Sequence, residues 1–227
     1  VHADFIKIDH GMTRINLKLN SIDGTEINGC GPDIDAKALE QLMEKIDRLG
    51  DGDVLVLAGS IPYTMPDDMY QRILERIQGR GVLTVVDATR DLLVKVLPYH
   101  PFLVKPNNYE LGEIFGVKLS TREEVVPYGK KLQEMGAQNV LISMAGEGAV
   151  LIAADGQSMG APAPKGTLVN GVGAGDSMVA GFLTGWMEKK DYVHAFHMGI
   201  AAGSASAFSE NLATREEVLQ VLQQVEQ

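Results

Sequence analysis

Short apolar, β-branched runs alternate with segments of helical period through the middle of this chain, and this alternation restricts the fold more than any other feature. The strands are predicted at 54–58, 83–86 and 102–104, and the helices at 67–77, 91–97 and 109–115. Strands that are joined by helical crossovers pair in parallel. This alternation of strands and helices therefore predicts an α/β fold with a mostly parallel sheet.

Flanking segments extend this pattern in both directions. Alternation over 13–19, a turn at 21–24 and a short strand at 25–27 predict a β-hairpin with one polar face. Further predicted helices cover 35–49, 123–135, 174–187 and 192–208, strands cover 140–143 and 149–153, and a last helix begins near Thr214.

The composition excludes several classes of partner. Hydrophobic residues make up 45% of the 227 residues, which is enough for a buried core, and the net charge of -10 disfavours nucleic acid and anionic membranes. Cys30 is the only cysteine, so no intrachain disulfide can form. No apolar run is long enough to span a membrane. We expect a cytoplasmic protein with no membrane partner.

The most informative motif is the glycine-rich stretch from Gly171 to Asp176, directly before an apolar helix. Glycines at a helix amino terminus expose backbone N–H groups at the positive end of the helix dipole, which suits a phosphoryl group. Asp176 beside them is suited to accept a proton from an attacking hydroxyl. A plain helix cap with an acidic first turn is the structural alternative.

Other nucleotide and metal motifs are absent from the sequence. There is no G-x-x-x-x-G-K-[ST] loop, and the glycines before Asp176 do not complete G-x-G-x-x-G. His194 and His197 lie three residues apart on a predicted helix, but no cysteine or carboxylate cluster accompanies them. This pattern favours structural histidines over a metal site.

The G-A-G-D stretch and the helix behind it resemble the signature of the PfkB carbohydrate kinases. The resemblance implies that the amides of Gly173, Ala174 and Gly175 form an anion hole and that Asp176 is the catalytic base. The family usually has Ser or Thr where this chain has Gly171, so a side-chain contact differs there while the backbone donors are kept.

A second match is Lys105-Pro-Asn107-Asn-Tyr-Glu110, which is similar to the family's N-x-x-E motif. The resemblance implies that Asn107 and Glu110 hold hydrated Mg²⁺ and that Lys105 lies near the phosphates of ATP. The same residues also form a good capping box, and both roles can hold at once.

The third match is Ser143-Met-Ala-Gly146-Glu-Gly148, which resembles the turn beside the nucleotide in these kinases. The family has glycine at the position of Ala145. If that position needs a positive φ, either the turn shifts onto Gly146 or Ala145 is strained. A hairpin between two strands is the structural alternative.

The sugar phosphate is expected at two further matches. Thr13-Arg14-Ile-Asn16-Leu-Lys18 resembles the family's T-R-x-N-L stretch, and Gly59-Ser60-Ile-Pro resembles its G-S-[LI]-P turn. The resemblance implies that Arg14, Asn16 and Ser60 bind the substrate, although a solvated strand face shows the same pattern. Arg90 is a further candidate for contact with an anion.

These matches imply a ribokinase-like three-layer sandwich with a mostly parallel central sheet and a small β lid. We predict a single domain over 1–227, with the lid at about 11–30 and the nucleotide-binding core at 31–227. The stretch 101–115 looks specifically like 1-phosphofructokinases, which implies ATP-dependent conversion of fructose 1-phosphate to fructose 1,6-bisphosphate. A homodimer is a possible assembly.

Two alternatives stay open from the sequence. Tagatose 6-phosphate also presents a phosphate at one end and a primary hydroxyl at the other. The family's upstream strands, with part of its sugar pocket, have no counterpart before the hairpin, so we expect the fold to be incomplete at its amino terminus. A nucleotide-binding fragment without catalytic activity is therefore the second alternative.

Overall fold

Period-two alternation near the amino terminus produces the predicted hairpin. In the computed structural model, which describes residues 2–19 and 25–226, β1 (Asn16–Leu19) pairs antiparallel with β2 (Thr25–Asn28). Asn16 lies opposite Asn28, and Leu17 lies opposite Ile27. The predicted turn at 21–24 and the side chain of Lys18 lie outside the described residues.

Contacts divide the chain into two compact units, Val1–Tyr99 and His100–Gln227. In the first unit β3 (Val54–Ala58) and β4 (Leu83–Asp87) pair in parallel, as the crossover pattern predicts. The helices are α1 (Ala36–Ile46), α2 (Met69–Ile77) and α3 (Arg90–Val96), followed by a 3₁₀ turn at Leu97–Tyr99. The single-domain organisation predicted from the sequence stays a prediction.

Helix α2 contributes an apolar face to the core of this unit. Its residues Ile73, Leu74 and Ile77 are each 3% exposed, because their spacing puts them on one face. Burying three such side chains contributes on the order of 5 kcal/mol before the loss of chain entropy.

In the second unit four strands form a ladder. The pair β5 (Leu103–Val104) and β6 (Asn139–Ser143) is parallel, whereas β7 (Ala149–Ile152) and β8 (Ser158–Ala161) are added antiparallel in that order. All of β7 is buried, as its unbroken apolar run predicts. Strand β8 is not predicted from the sequence, because its four residues include glycine and no β-branched side chain.

Five helices complete the second unit: α4 (Asn108–Phe115), α5 (Arg122–Glu134), α6 (Ala174–Lys189), α7 (Tyr192–Ala207) and α8 (Arg215–Val225). Thr121 and Thr214 each stand three residues before a Glu in the sequence, and both form capping boxes. Helices α6 and α7 pack closely, since a Cβ on Gly181 would lie 2.4 Å from the Met198 carbonyl oxygen. Within the described residues, no helix is both long and apolar enough to cross a membrane.

Candidate active site

The glycine turn lies at the amino terminus of α6, as the sequence predicts. Gly173 is the N-cap in the left-handed conformation, with φ 78°, which favours glycine. The Ser177 amide donates to the Gly173 carbonyl at 2.8 Å, and the Ala174 amide donates to Gly171 at 3.3 Å. The amides of Gly175 and Asp176 lie in the first turn, where a helix offers no acceptor of its own. The turn therefore presents backbone donors that suit an anion.

Lys105 lies against this turn. It follows β5 and is only 6% exposed, and its Nζ would be 3.2 Å from a Cβ built on Gly175. A glycine at 175 leaves room for the ammonium group. The amino-terminal end of the helix dipole and this cation both favour an anion at the start of α6.

Asp176 is exposed in the first turn of α6. Its carboxylate follows Gly175 directly and is accessible to a substrate from solvent. A group that accepts a proton beside an anion site must be accessible in this way. An acidic residue that only stabilises the first turn of a helix has the same placement.

Asn107 and Glu110 form the capping box of α4. The Glu110 amide donates to Asn107 Oδ1 and the Asn107 amide donates to Glu110 Oε2, each at 2.8 Å. Carboxylate and amide oxygens accept more than one hydrogen bond, so capping leaves acceptor capacity for metal-bound water. In the part of the chain that the structure describes, no three or more His, Cys, Asp or Glu residues lie close enough together to bind a metal ion. The Asn107 and Glu110 oxygens suit a Mg²⁺ ion that keeps most of its water ligands.

A cavity of about 750 Å³ connects these motifs within the second unit. It is lined by members of all three predicted groups, namely Asn107, Ser143, Gly146, Gly148, Gly171, Ala174 and Gly175. This volume is in the range of small-molecule sites. The structure thus brings Ser143, Gly146 and Gly148 to the same cavity as the glycine turn. Of the other predicted residues, Lys105, Glu110 and Asp176 are not among its lining residues.

The apolar wall of this cavity is not predicted from the sequence. Leu168, Met178, Ile200 and Phe208 line it and come from three separate segments. Apolar residues on α6 and α7 look like ordinary core positions in the sequence. Only the fold shows that these side chains face a cavity.

The turn after β6 settles the question left at Ala145. Ala145 has φ 46°, whereas Gly146 has no positive φ, so the turn does not shift and the alanine takes the strained conformation. Gly148 has φ 91°, and a Cβ there would lie 2.0 Å from the Ala161 carbonyl oxygen. Only glycine fits at 148, because both conformation and space exclude a side chain.

Two of the predicted sugar-phosphate residues meet in the first unit. Arg14 Nη1 donates to Ser60 Oγ at 3.0 Å although the two are 46 positions apart. Both are exposed, and Asn16 follows on β1. Arg90 is also exposed and has φ 50° at the start of α3.

Hydrogen bonds hold the chain at the end of β3, in the two residues that precede Ser60. The Tyr70 hydroxyl donates to the Ala58 carbonyl at 2.8 Å, and the Gly59 amide donates to Asp87 at 2.9 Å. Burial and the nearby Asp87 carboxylate raise the pKa of Tyr70, so its hydroxyl stays a donor at neutral pH. The turn that carries Ser60 is therefore anchored on both sides.

Comparison with known proteins decides the family. The model of the pfkB family carbohydrate kinases matches residues 1–218. The chain belongs to this family. It is 48% identical over 215 residues to the 1-phosphofructokinase of Bacillus subtilis (strain 168), which covers 95% of this chain and 71% of that protein.

Further relatives support the family and the fold. The D-tagatose-1-phosphate kinase of Bacillus licheniformis is 34% identical over 225 residues, covering 99% of this chain and 73% of that protein. A crystal structure of a Staphylococcus aureus protein described as a phosphofructokinase superposes with a TM-score of 0.85 at 39% identity, covering 97% of this chain and 72% of that one.

A ribokinase of Arabidopsis thaliana shares the fold with a TM-score of 0.69 at 21% identity, covering 87% of this chain and 64% of that one. The predicted ribokinase-like α/β fold, the pfkB resemblance and the assignment to sugar-phosphate kinases are thereby confirmed. The tagatose-phosphate kinase reported above is named for the 1-phosphate and not for the 6-phosphate, which is the alternative left open by the sequence.

Proposed function

We propose that this pfkB-family chain transfers the γ-phosphoryl group of ATP to the C6 hydroxyl of fructose 1-phosphate. The observation that carries the proposal is the start of α6, where first-turn amides and the buried Lys105 converge on Gly175 beside the nucleotide-sized cavity. Relatives named 1-phosphofructokinase at 48% and 38% identity support this choice of acceptor.

Phosphoryl transfer requires little covalent chemistry from the protein and much positioning. The Gly173 and Gly175 amides and the Lys105 ammonium group would stabilise charge on the transferring group. The Ala174 amide would join them after releasing its long bond to the Gly171 carbonyl. Asp176 would accept the proton of the attacking hydroxyl.

The nucleotide would lie in the cavity beside Ser143, Gly146 and Gly148. Asn107 and Glu110 would hold Mg²⁺ through its water ligands, using oxygens that also cap α4. Bound Mg²⁺ would neutralise charge on the β- and γ-phosphates. Arg14, with Ser60 and Asn16, would bind the phosphate that the sugar already carries, since a guanidinium suits that anion.

A coupled assay tests this proposal. The purified chain is given MgATP with fructose 1-phosphate, D-tagatose 1-phosphate or fructose 6-phosphate, and ADP release is followed. We expect turnover with fructose 1-phosphate at a kcat/KM at least ten-fold above that with fructose 6-phosphate, in which the carbon to be phosphorylated is blocked. Binding of MgATP without turnover would instead favour the nucleotide-binding alternative.

D-Tagatose 1-phosphate is the second candidate acceptor. The tagatose-1-phosphate kinase of Bacillus licheniformis is 34% identical over nearly the whole chain. The two sugars carry the same 1-phosphate and 6-hydroxyl and differ only in configuration at C4. A kcat/KM for tagatose 1-phosphate above that for fructose 1-phosphate would reverse the assignment.

Self-association is a further proposal. Leu17 and Ile27 pair across the hairpin and are 50% and 56% exposed, which leaves an apolar strand face uncovered. A second copy could cover this face. Sedimentation velocity should show a dimer for the wild-type chain and a monomer for Leu17→Ser; identical profiles would count against the hairpin as the contact.

A further inference from the structure

Ser206 is a buried hydroxyl without a role in the chemistry proposed above. It lies near the end of α7 and is 3% exposed. Its Oγ donates to Ser177 Oγ at 2.8 Å and accepts the Ala213 amide at 3.1 Å. The hydroxyl therefore joins α7, α6 and the segment before α8 through two hydrogen bonds.

Ser177 belongs to the turn that carries Asp176. It follows Asp176 directly, and its amide donates to the Gly173 carbonyl at 2.8 Å. A displacement of Ser177 would therefore move Asp176 and the amides of the glycine turn together. Ser206 therefore contacts a side chain of this turn from α7.

The segment 206–213, called the brace below, touches the glycine turn at two further points. A Cβ on Gly173 would lie 2.6 Å from Leu212 Cδ2, so Leu212 packs against the N-cap. Asn170, just before the turn, donates from Nδ2 to the Glu210 carbonyl at 3.2 Å. Its Oδ1 accepts the Val172 amide at 3.0 Å.

The brace is itself held by packed helices. Ala205 on α7 and Leu222 on α8 belong to one buried cluster, with Phe208 and Ala213 packed against it. A Cβ on Gly203 would lie 3.0 Å from the Ala174 carbonyl oxygen, so the α7 backbone runs close to the first turn of α6. The brace therefore has a rigid support from which to position the turn.

We propose that Ser206 is a positioning residue for phosphoryl transfer, acting through Ser177 to hold Asp176 and the amides of the glycine turn. This inference rests on the function proposed above. The hydroxyl touches no substrate; it fixes the turn relative to α7. Because transfer depends on alignment within fractions of an ångström, loosening this link lowers the rate of the chemical step more than it lowers nucleotide binding.

Steady-state kinetics of Ser206→Ala, Ser177→Ala and the double variant test the link. We expect each single change to lower kcat for fructose 1-phosphate roughly ten- to a hundred-fold, with KM for MgATP within about two-fold of wild type. The double variant should lose no more than either single one, because both changes remove the same hydrogen bond. Losses that multiply would overturn the proposal.

Ser209→Ala is the matched control. The Ser209 hydroxyl also lies in the brace, but it is within hydrogen-bond distance of the Ala205 carbonyl and of Glu217 Oε1, and among the described residues it forms no hydrogen bond with α6. We expect this variant to keep wild-type kcat. Ser206→Ala with wild-type kcat and a loss of thermal stability like that of Ser209→Ala would show a merely structural serine.

Amide hydrogen exchange gives a readout that needs no turnover. Faster exchange of the Ala174 and Ser177 amides, which are hydrogen-bonded within the turn, in Ser206→Ala supports the positioning role, and unchanged exchange there contradicts it. A wild-type chain that binds MgATP but phosphorylates none of the three sugars would refute the proposed function, while exchange would still decide the role of Ser206.

Discussion

The two regions expected to handle phosphate present their donors in different ways. At the start of α6 the donors are backbone amides, supported by Lys105 at 6% exposure and by the packing of α7. In the first unit the donors are the exposed side chains of Arg14 and Ser60, joined by one hydrogen bond. A backbone site depends on the absence of side chains, whereas a side-chain site depends on their presence. The two regions should therefore respond to different substitutions.

The largest effect should come from Asp176→Asn, which keeps the shape of the side chain and removes its ability to accept a proton. We expect kcat to fall about 100- to 10,000-fold while the Kd for MgATP stays within about three-fold. Rapid-quench kinetics and titration calorimetry measure the two quantities. An equal loss of nucleotide binding would favour a helix-capping role for Asp176.

Gly175→Ala should break the backbone site while keeping its amide. The new Cβ would lie 3.2 Å from Lys105 Nζ and displace the ammonium group, so we expect kcat to fall on the order of 100-fold. Gly171→Ala is the comparison within the same turn, because nothing lies within 4 Å of its Cβ and its φ is not positive. Its loss should be much smaller. Equal losses would mean that steric access to Lys105 is not what Gly175 provides.

Arg14→Ala should break the side-chain site selectively. We expect KM for fructose 1-phosphate to rise on the order of ten-fold, with kcat and KM for MgATP nearly unchanged, because one charge-assisted contact to the substrate is lost. Arg72→Ala is the control, since this exposed guanidinium on α2 pairs with Asp68, the N-cap residue of the same helix. A fall in kcat without a change in KM would place Arg14 in the chemical step instead.

The smallest effect should be on stability. Ala145→Gly relieves the left-handed conformation at φ 46°, and we expect it to stabilise the chain by up to about 1 kcal/mol in urea unfolding without nucleotide. The same change at Ala180, in the exposed interior of α6, should cost about 1 kcal/mol. Equal destabilisation by both changes would show that Ala145 stores no strain.

The sequence predicts the regular elements well, because their signals are local. The span of β3 is predicted without error, and the capping boxes at Thr121 and Thr214 are found where Glu stands three residues later. Strand β8 is missed because its pairing with β7, rather than its composition, makes it a strand. Local pattern carries no information on such pairing.

The candidate site is predictable only in part. Glycine spacing locates the turn before α6, but the approach of Lys105 to Gly175 and the contact of Arg14 with Ser60 join residues distant in the sequence. Nothing in the sequence marks Ser206 as part of the site, since a serine on an apolar helix looks like a tolerated core residue. These contacts depend on tertiary packing, which the periodicity of the sequence does not specify.

In the proposed function, the turn at the start of α6 transfers a phosphoryl group to the C6 hydroxyl of a ketohexose 1-phosphate. The most direct test is ³¹P NMR of the purified chain, its intact mass confirmed, with MgATP and fructose 1-phosphate. We expect a second phosphomonoester signal, from the 6-phosphate of fructose 1,6-bisphosphate, that grows with ADP and is lost in Asp176→Asn. Release of inorganic phosphate alone, or an equal rate with Asp176→Asn, would contradict it.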